Sequence, residues 1–450
     1  MSSLRAPHSA FRDSLDRRRL MQLAAAGVAV GAQGGWFNRF AEAAAADPKR
    51  KRSCILLWMP GGPSQIDTFD PKPGEETGGP FKAIETAVPG IRIAEHLPLV
   101  AKQMKHLAVV RSMSTREGDH DRAAYLLRTG HLPQEPLQYP TLGSLVSKEL
   151  GDAKAELPNY ISVGGRRGLS DGGYSSGYLG PDYAPLLVGD SPDAPYTRRP
   201  GLRDLAVADI KPAVESSRAN DRVKLLEGLN ADFAPGREGT AIASIQSAYE
   251  RGLRLVNGSA SAAFHLDDEP EKLRSTYGKN PFGQGCLIAR RLVERGVPFV
   301  EVTLSGGFMG SWDTHARNFD RVKTLCDILD PAWAALVADL KDRGLLDTTT
   351  IVWMGEFGRT PRINGNLGRD HYPNAWNVVL GGGGIKCGQV IGRTSKDGST
   401  VEERPADVPD LLATICKAVG VDYEKQHLSN IGRPIRIVDK SAKPLTEVLS

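Results

Sequence analysis

Five short apolar runs, four of them ending in glycine, decide what this chain can fold into. They are Ser53–Met59 (SCILLWM), His106–Arg111 (HLAVVR), Val297–Leu304 (VPFVEVTL), Thr348–Met354 (TTTIVWM) and Asn377–Leu380. Runs of this length bounded by turn residues read as buried strands. The first meets Pro60-Gly61-Gly62-Pro63, the third Gly306-Gly307, the fourth Gly355 and the fifth Gly381–Gly384. Helical spacing occupies the intervals: Leu97–Lys105, Arg122–Arg128, Phe282–Arg295, Asp320–Arg343 and Val408–Val419, the last four stopped by Gly130, Gly296, Gly344 and Gly420. Strands alternating with helices predict an α/β fold, with a mostly parallel central sheet and helices on both faces. Residues 155–240 break the pattern. They are dense in Gly, Pro, Asp, Ser and Tyr until helical spacing returns over 219–256, and they predict an irregular insertion outside the sheet. A composition of 40% hydrophobic and 24% charged residues, with 49 Gly and 30 Pro, excludes a coiled coil, a collagen-like chain and wholesale disorder.

The amino terminus reads as a targeting segment, not as part of the fold. Arg17-Arg18-Arg19 precedes the small apolar stretch Leu20–Ala32, and Ala43–Ala46 precedes Asp47. A basic region, a short apolar run and a small-residue cleavage site make an export signal, here of the twin-arginine kind. The apolar run is too short and too glycine-rich to span a bilayer. Residues 1–46 are therefore expected to be removed, leaving 47–450 as one α/β domain in the periplasm or outside the cell, with no stable membrane insertion. The net charge of +4 falls to +1 without that segment, because residues 1–46 carry six Arg against three acids. No nucleic-acid partner is expected from such a balance. Cys54, Cys286, Cys326, Cys387 and Cys416 are scattered, without metal-ligand spacing, and read as free thiols.

Ligands of open α/β sheets sit beyond the carboxyl ends of the strands. Here those ends carry imidazoles and carboxylates. Asp313-Thr314-His315 follows the third run, Asp370-His371 lies in the loop after the fourth, and Asp119-His120-Asp121 follows the second. Glu356 stands at the tip of the fourth run and Asp67 follows the first. Histidine with carboxylate is a ligand set for a divalent metal that activates water and polarises phosphoryl oxygens. Asp313, His315, His371 and Asp370 are the candidate ligands. Zinc is the first expectation, with manganese or calcium as alternatives. Ser64, in the Pro60–Ser64 loop, is a candidate to touch a substrate anion, and Asp67 is placed beside it. Arg359, three residues from Glu356, either pairs with that glutamate or faces an anionic substrate.

Four stretches make the sequence similar to a known family: GGPSQIDTFDPKP (61–73), GSWDTH (310–315), GEFGRTPRING (355–365) and GRDHYPNAW (368–376). On these it resembles the exported bacterial family catalogued as domain of unknown function 1501, itself similar to the alkaline phosphatase and sulfatase superfamily. The resemblance covers nearly the whole mature chain. It implies an alkaline phosphatase-like fold, with Asp313, His315 and His371 at a first metal position. Residues 120–130 resemble the helix that bears the superfamily nucleophile, with His120 in roughly the nucleophile's place. The chain departs from the superfamily at two points. Gly61-Gly62 stand where the first strand would end in Asp, with Asp67 the nearest substitute, and Glu356-Phe357 replace an Asp-His pair. The resemblance thus implies one retained metal position and a second lacking its imidazole.

These readings leave two functional expectations. The first is an exported metal-dependent hydrolase of phosphate or sulfate esters, acting on a small-molecule or glycan ester, with His120 and Glu356 as catalytic residues. The second is a non-catalytic envelope protein of the same fold that binds a glycan or a protein partner.

Overall fold

Alternation along the first apolar run explains why it lies at the centre of the molecule. In β1 (Ser53–Trp58), Ile55 and Leu57 join one hydrophobic cluster, while Cys54, Leu56 and Trp58 join another. A strand buried on both faces must be covered by helices on both sides. The computed structural model describes residues 52–165, 173–189, 205, 215–233, 249–255, 259–304 and 311–450. The proposed export segment and Gly306-Gly307 lie outside the described residues.

The other sheet strands are β2 (Leu107–Met113), β3 (Tyr160–Val163), β4 (Leu186–Val188), β5 (Phe299–Thr303), β6 (Thr349–Met354), β7 (Trp376–Gly382) and β8 (Gln389–Ile391). Together with β1 they form one eight-stranded sheet in the order β8-β2-β7-β6-β1-β5-β3-β4. β1 pairs in parallel with β5 and β6, β3 with β4 and β5, and β8 with β2. Only β7 runs against its neighbours β6 and β2. The expected mostly parallel sheet is therefore present.

On one face α3 (Pro281–Glu294) and α4 (Asn318–Asp342) pack on Ile55, Leu57, Ile351 and Trp353. Trp333 of α4 stacks on Trp353 of β6 with ring centroids 5.9 Å apart, and Phe69 meets both rings edge-on. The opposite face is covered by α1 (His120–Thr129), α2 (Leu142–Leu150) and α5 (Val408–Val419), packed on Leu56, Trp58, Val352 and Met354. All five cysteines are free and four are buried. Among the described residues no helix is long and apolar enough to cross a membrane.

The structure corrects the reading of 155–240 as wholly outside the sheet. Within that stretch Tyr160–Val163 and Leu186–Val188 form β3 and β4 at one edge of the sheet. Runs of four and three residues are too short to stand out from a glycine- and proline-rich background. The helix Ser216–Phe233 belongs to no sheet, and the rest of the 219–256 helical expectation falls largely outside the described residues. Because β7 is antiparallel, its amino end faces the edge where β1, β5 and β6 terminate. Its closing glycines lie at the far edge, where Gly383 donates to Thr349 at the start of β6.

Candidate metal centre

Several elements at the carboxyl edge deliver groups to the same place. Asp119 caps α1 by accepting from the Arg122 amide at 3.0 Å, which sets His120 in the first turn. β6 ends just before Glu356, β5 leads towards Asp313, and His371 stands in a two-residue antiparallel ladder with Arg359 ahead of β7. The loop after β1 is made of glycine for a steric reason. Gly61 and Gly62 have φ of +102° and +70°, and a Cβ on either would collide with the Asp313 amide or with Phe357.

Four donors converge. Asp313 Oδ1 lies 3.3 Å from His120 Nε2, 3.1 Å from His315 Nε2 and 3.3 Å from His371 Nε2. The Nε2 atoms of His315 and His371 are 2.9 Å apart. Ligand atoms of His120, Asp313 and His371 all fall within 4.8 Å of one another. Every imidazole is held through its other nitrogen: His371 Nδ1 by the Gly118 carbonyl at 2.8 Å, His315 Nδ1 by Asp370 at 2.8 Å and His120 Nδ1 by Glu356 at 2.6 Å. Acceptors at all three Nδ1 atoms favour the neutral tautomer that carries its proton there and turns its Nε2 lone pair inward. Metal-binding histidines are oriented in this way.

The donors fit a divalent ion on three counts. Tetrahedral donors about 2.0–2.1 Å from a zinc-sized ion stand about 3.3 Å apart, close to the separations observed. Glu356 Oε2 is buried and makes no hydrogen bond, which is costly for a polar atom without a further partner. Asp313, Glu356 and Asp370 outnumber Arg359, leaving two negative charges for a divalent ion to balance. The same charge acts on protons. Burial lowers the His120 pKa, but Asp313 and Glu356 outweigh it and push it up to about 9. Burial raises that of Asp313, yet hydrogen bonds from His120 and His371 and the charge of Arg359 hold it far below the usual carboxylate range. A metal ion bound here would displace a proton from His120.

The structure therefore brings together His120, Asp313, His315, Glu356 and His371, with Asp370 behind His315. It does not bring Asp67 or Ser64 to the donors. Asp67 is fully buried and paired with Arg369 at 2.7 and 3.1 Å, and Asn318 donates to it at 2.8 Å. Ser64 is 1% exposed, its hydroxyl accepting from the Asp67 amide. Arg359 pairs with Asp313, not with Glu356, and is buried. The sequence reading missed Arg369, which neutralises Asp67, and Asn364, which holds both Asp370 and the His315 carbonyl. Arg369 lies inside the quoted GRDH motif, which was its only signal.

Glu356 also accepts from the Gly61 amide at 2.7 Å, so one carboxylate ties the β1 loop to His120. Glu356→Gln is expected to weaken metal binding by about 10–100-fold while the protein stays folded, as loss of an outer partner of a ligating histidine does. Titration with a competing chelator measures this. Unchanged affinity would remove Glu356 from the centre.

A family model for proteins of unknown function (DUF1501) matches residues 51–449. No curated protein matches the chain. Among solved structures it is similar to the PsFucS1 sulfatase of Pseudoalteromonas sp., at TM-score 0.40 and 14% identity over 86% of this chain and 72% of that one. It is also similar to an alkaline phosphatase superfamily protein of Vibrio parahaemolyticus, at TM-score 0.37 and 13% identity over 89% and 72%. A third is the phosphonate monoester hydrolase SpPMH of Silicibacter pomeroyi, at TM-score 0.35 and 12% identity over 83% and 74%. The chemistry of the centre rests on this protein's own side chains, not on these distant likenesses.

Proposed function

The chain belongs to DUF1501, a family of proteins of unknown function, and we propose that it is an exported metal-dependent hydrolase of phosphate or sulfate esters. The observation that carries this reading is the convergence of three imidazole Nε2 atoms on the carboxylate of Asp313. The donors stand at the carboxyl edge of a mostly parallel sheet, where α/β proteins bind ligands. Side-chain exposures of 46% for His315, 35% for Asp313 and 28% for His371 leave them open to solvent and to a substrate. His120, Asp313 and His371 would hold the metal, with His315 beside them. A bound divalent ion supplies an acidified water and polarises an ester oxygen. The chain's own groups set the frame: Glu356 and Asp370 fix two imidazoles, and Arg359 holds Asp313. The substrate class is a small-molecule or glycan ester. Asp313, His315 and His371, which resemble the superfamily's first metal position, and residues 120–130, which resemble its nucleophile helix, support the reaction class.

The test is metal analysis of the purified protein, with assay on aryl phosphate and aryl sulfate esters. Bound transition metal and slow hydrolysis abolished by chelator are expected. Ser64 is occupied in a turn, and this favours the second reading of a binding module for an envelope glycan or protein. A metal-loaded protein inert on both ester classes would replace the hydrolase by that reading.

Export rests on Arg17-Arg18-Arg19 and the apolar stretch after them. Changing Arg17 and Arg18 together to Lys should leave precursor in the cytoplasm, and normal export of that variant would contradict the signal.

A further inference from the structure

Arg359 is a permanent cation beside the donors, and its surroundings are unusual. Its side chain is 0% exposed. The Gln65 amide brackets its backbone, accepting from the Arg359 N–H at 2.9 Å and donating to its carbonyl at 2.8 Å. Nε donates to the Gly62 carbonyl at 3.0 Å, and Nη1 to the Arg369 carbonyl at 3.3 Å. Nη2 donates to the Gly61 carbonyl and, at 2.6 Å, to Asp313 Oδ1. Nη1 also lies 3.5 Å from His315 Nε2. A guanidinium has five N–H donors: four go to these oxygens and the fifth faces His315 Nε2. None is left to point at a substrate anion.

What surrounds the guanidinium is a set of oxygens: three main-chain carbonyls and a carboxylate. That is the ligand chemistry of a hard cation such as calcium or magnesium, not of an arginine chosen for bidentate recognition. The two glycines with positive φ turn successive carbonyls inward, a conformation that side-chain-bearing residues rarely adopt. Asp313 Oδ1 belongs to both sets, facing the imidazoles on one side and Arg359 on the other.

We propose that Arg359 is a built-in cation, filling an oxygen-lined cation position beside the metal donors so that the centre takes one divalent ion, not two. The inference rests on the reading of the centre as a metal site. Without the guanidinium, one divalent ion could not balance Asp313, Glu356 and Asp370, and the oxygen set would be left without a positive partner. Arg359 is a positioning residue: it holds Asp313 and the β1 loop and gives the centre a charge that no chelator removes.

The experiment counts transition metal in wild-type protein, Arg359→Ala and Arg359→Lys, and measures the Tm of each with and without millimolar calcium or magnesium. Wild type and Arg359→Lys should hold one equivalent and melt independently of calcium, since an ammonium also suits an oxygen cage. Arg359→Ala should hold the same single equivalent, and its Tm should rise by about 3–5 °C with the added ion. Two equivalents in wild type, or an Arg359→Ala protein indifferent to both ions, overturns the proposal. If Arg359→Ala fails to fold, Arg359→Lys decides: wild-type stoichiometry and Tm support a cation position, and loss of either shows that guanidinium shape is what matters. A wild type free of transition metal sinks the hydrolase reading, while the calcium response of Arg359→Ala still decides this one.

Discussion

His371→Ala is expected to leave a folded protein without its metal. Nε2 of this residue stands 2.9 Å from that of His315 and 3.3 Å from Asp313, and its Nδ1 is locked by the Gly118 carbonyl. Removing it takes away a donor, where removing an outer partner alone costs about 10–100-fold in affinity. A loss above about 100-fold is therefore expected, with ester hydrolysis falling on the order of 10²–10³-fold or more. The backbone of residue 371 still pairs with that of residue 359, so the ladder does not depend on the imidazole. Elemental analysis with circular dichroism checks both halves. Stoichiometric metal in a folded His371→Ala protein would falsify the assignment of His371 as a donor.

Arg369→Ala carries the largest expected cost in stability. Arg369 and Asp67 are both fully buried and joined by two N–H···O contacts, and Arg369 also donates to the carbonyls of Thr360, Pro361 and Thr77. Removing one member of such a pair leaves the other charge buried, at about 3–5 kcal/mol. A fall in Tm of roughly 5–10 °C is expected. Asp67→Asn keeps the shape and a partner for Asn318 but strands the arginine charge, so it should also destabilise. Its metal content should nevertheless equal that of wild type. That contrast separates a structural carboxylate from a metal ligand. A stable Asp67→Asn protein that has lost its metal would return Asp67 to the centre.

These two residues show what the sequence could and could not reveal. His371, Asp313 and His120 were legible because each follows a strand-like run, and the carboxyl ends of such strands share one edge. The core strands were legible because burial on both faces makes a continuous apolar run. β3, β4 and β8 were not, being three or four residues long with no period to read. The direction of β7 was legible in principle: a parallel neighbour of β6 needs a crossover of a dozen or more residues, usually a helix, and 355–375 shows no helical spacing. Asp67 also follows a strand end, as a ligand would. What disqualifies it is a partner 302 residues away, a contact that no local pattern announces. Arg359 and Glu356 are three residues apart and suggested a pair. Each instead pairs across the site, Glu356 with His120 and Arg359 with Asp313.

The central claim is that one divalent ion is held where three imidazoles face Asp313. Anomalous scattering at the edge of the bound metal, from crystals of protein purified without chelator, tests it most directly. The account predicts a single peak about 2 Å from His371 Nε2, His120 Nε2 and an Asp313 oxygen, with Arg359 still on the carbonyls of Gly61 and Gly62. No peak at these donors in metal-supplemented protein, or a peak bound by other residues, would contradict it.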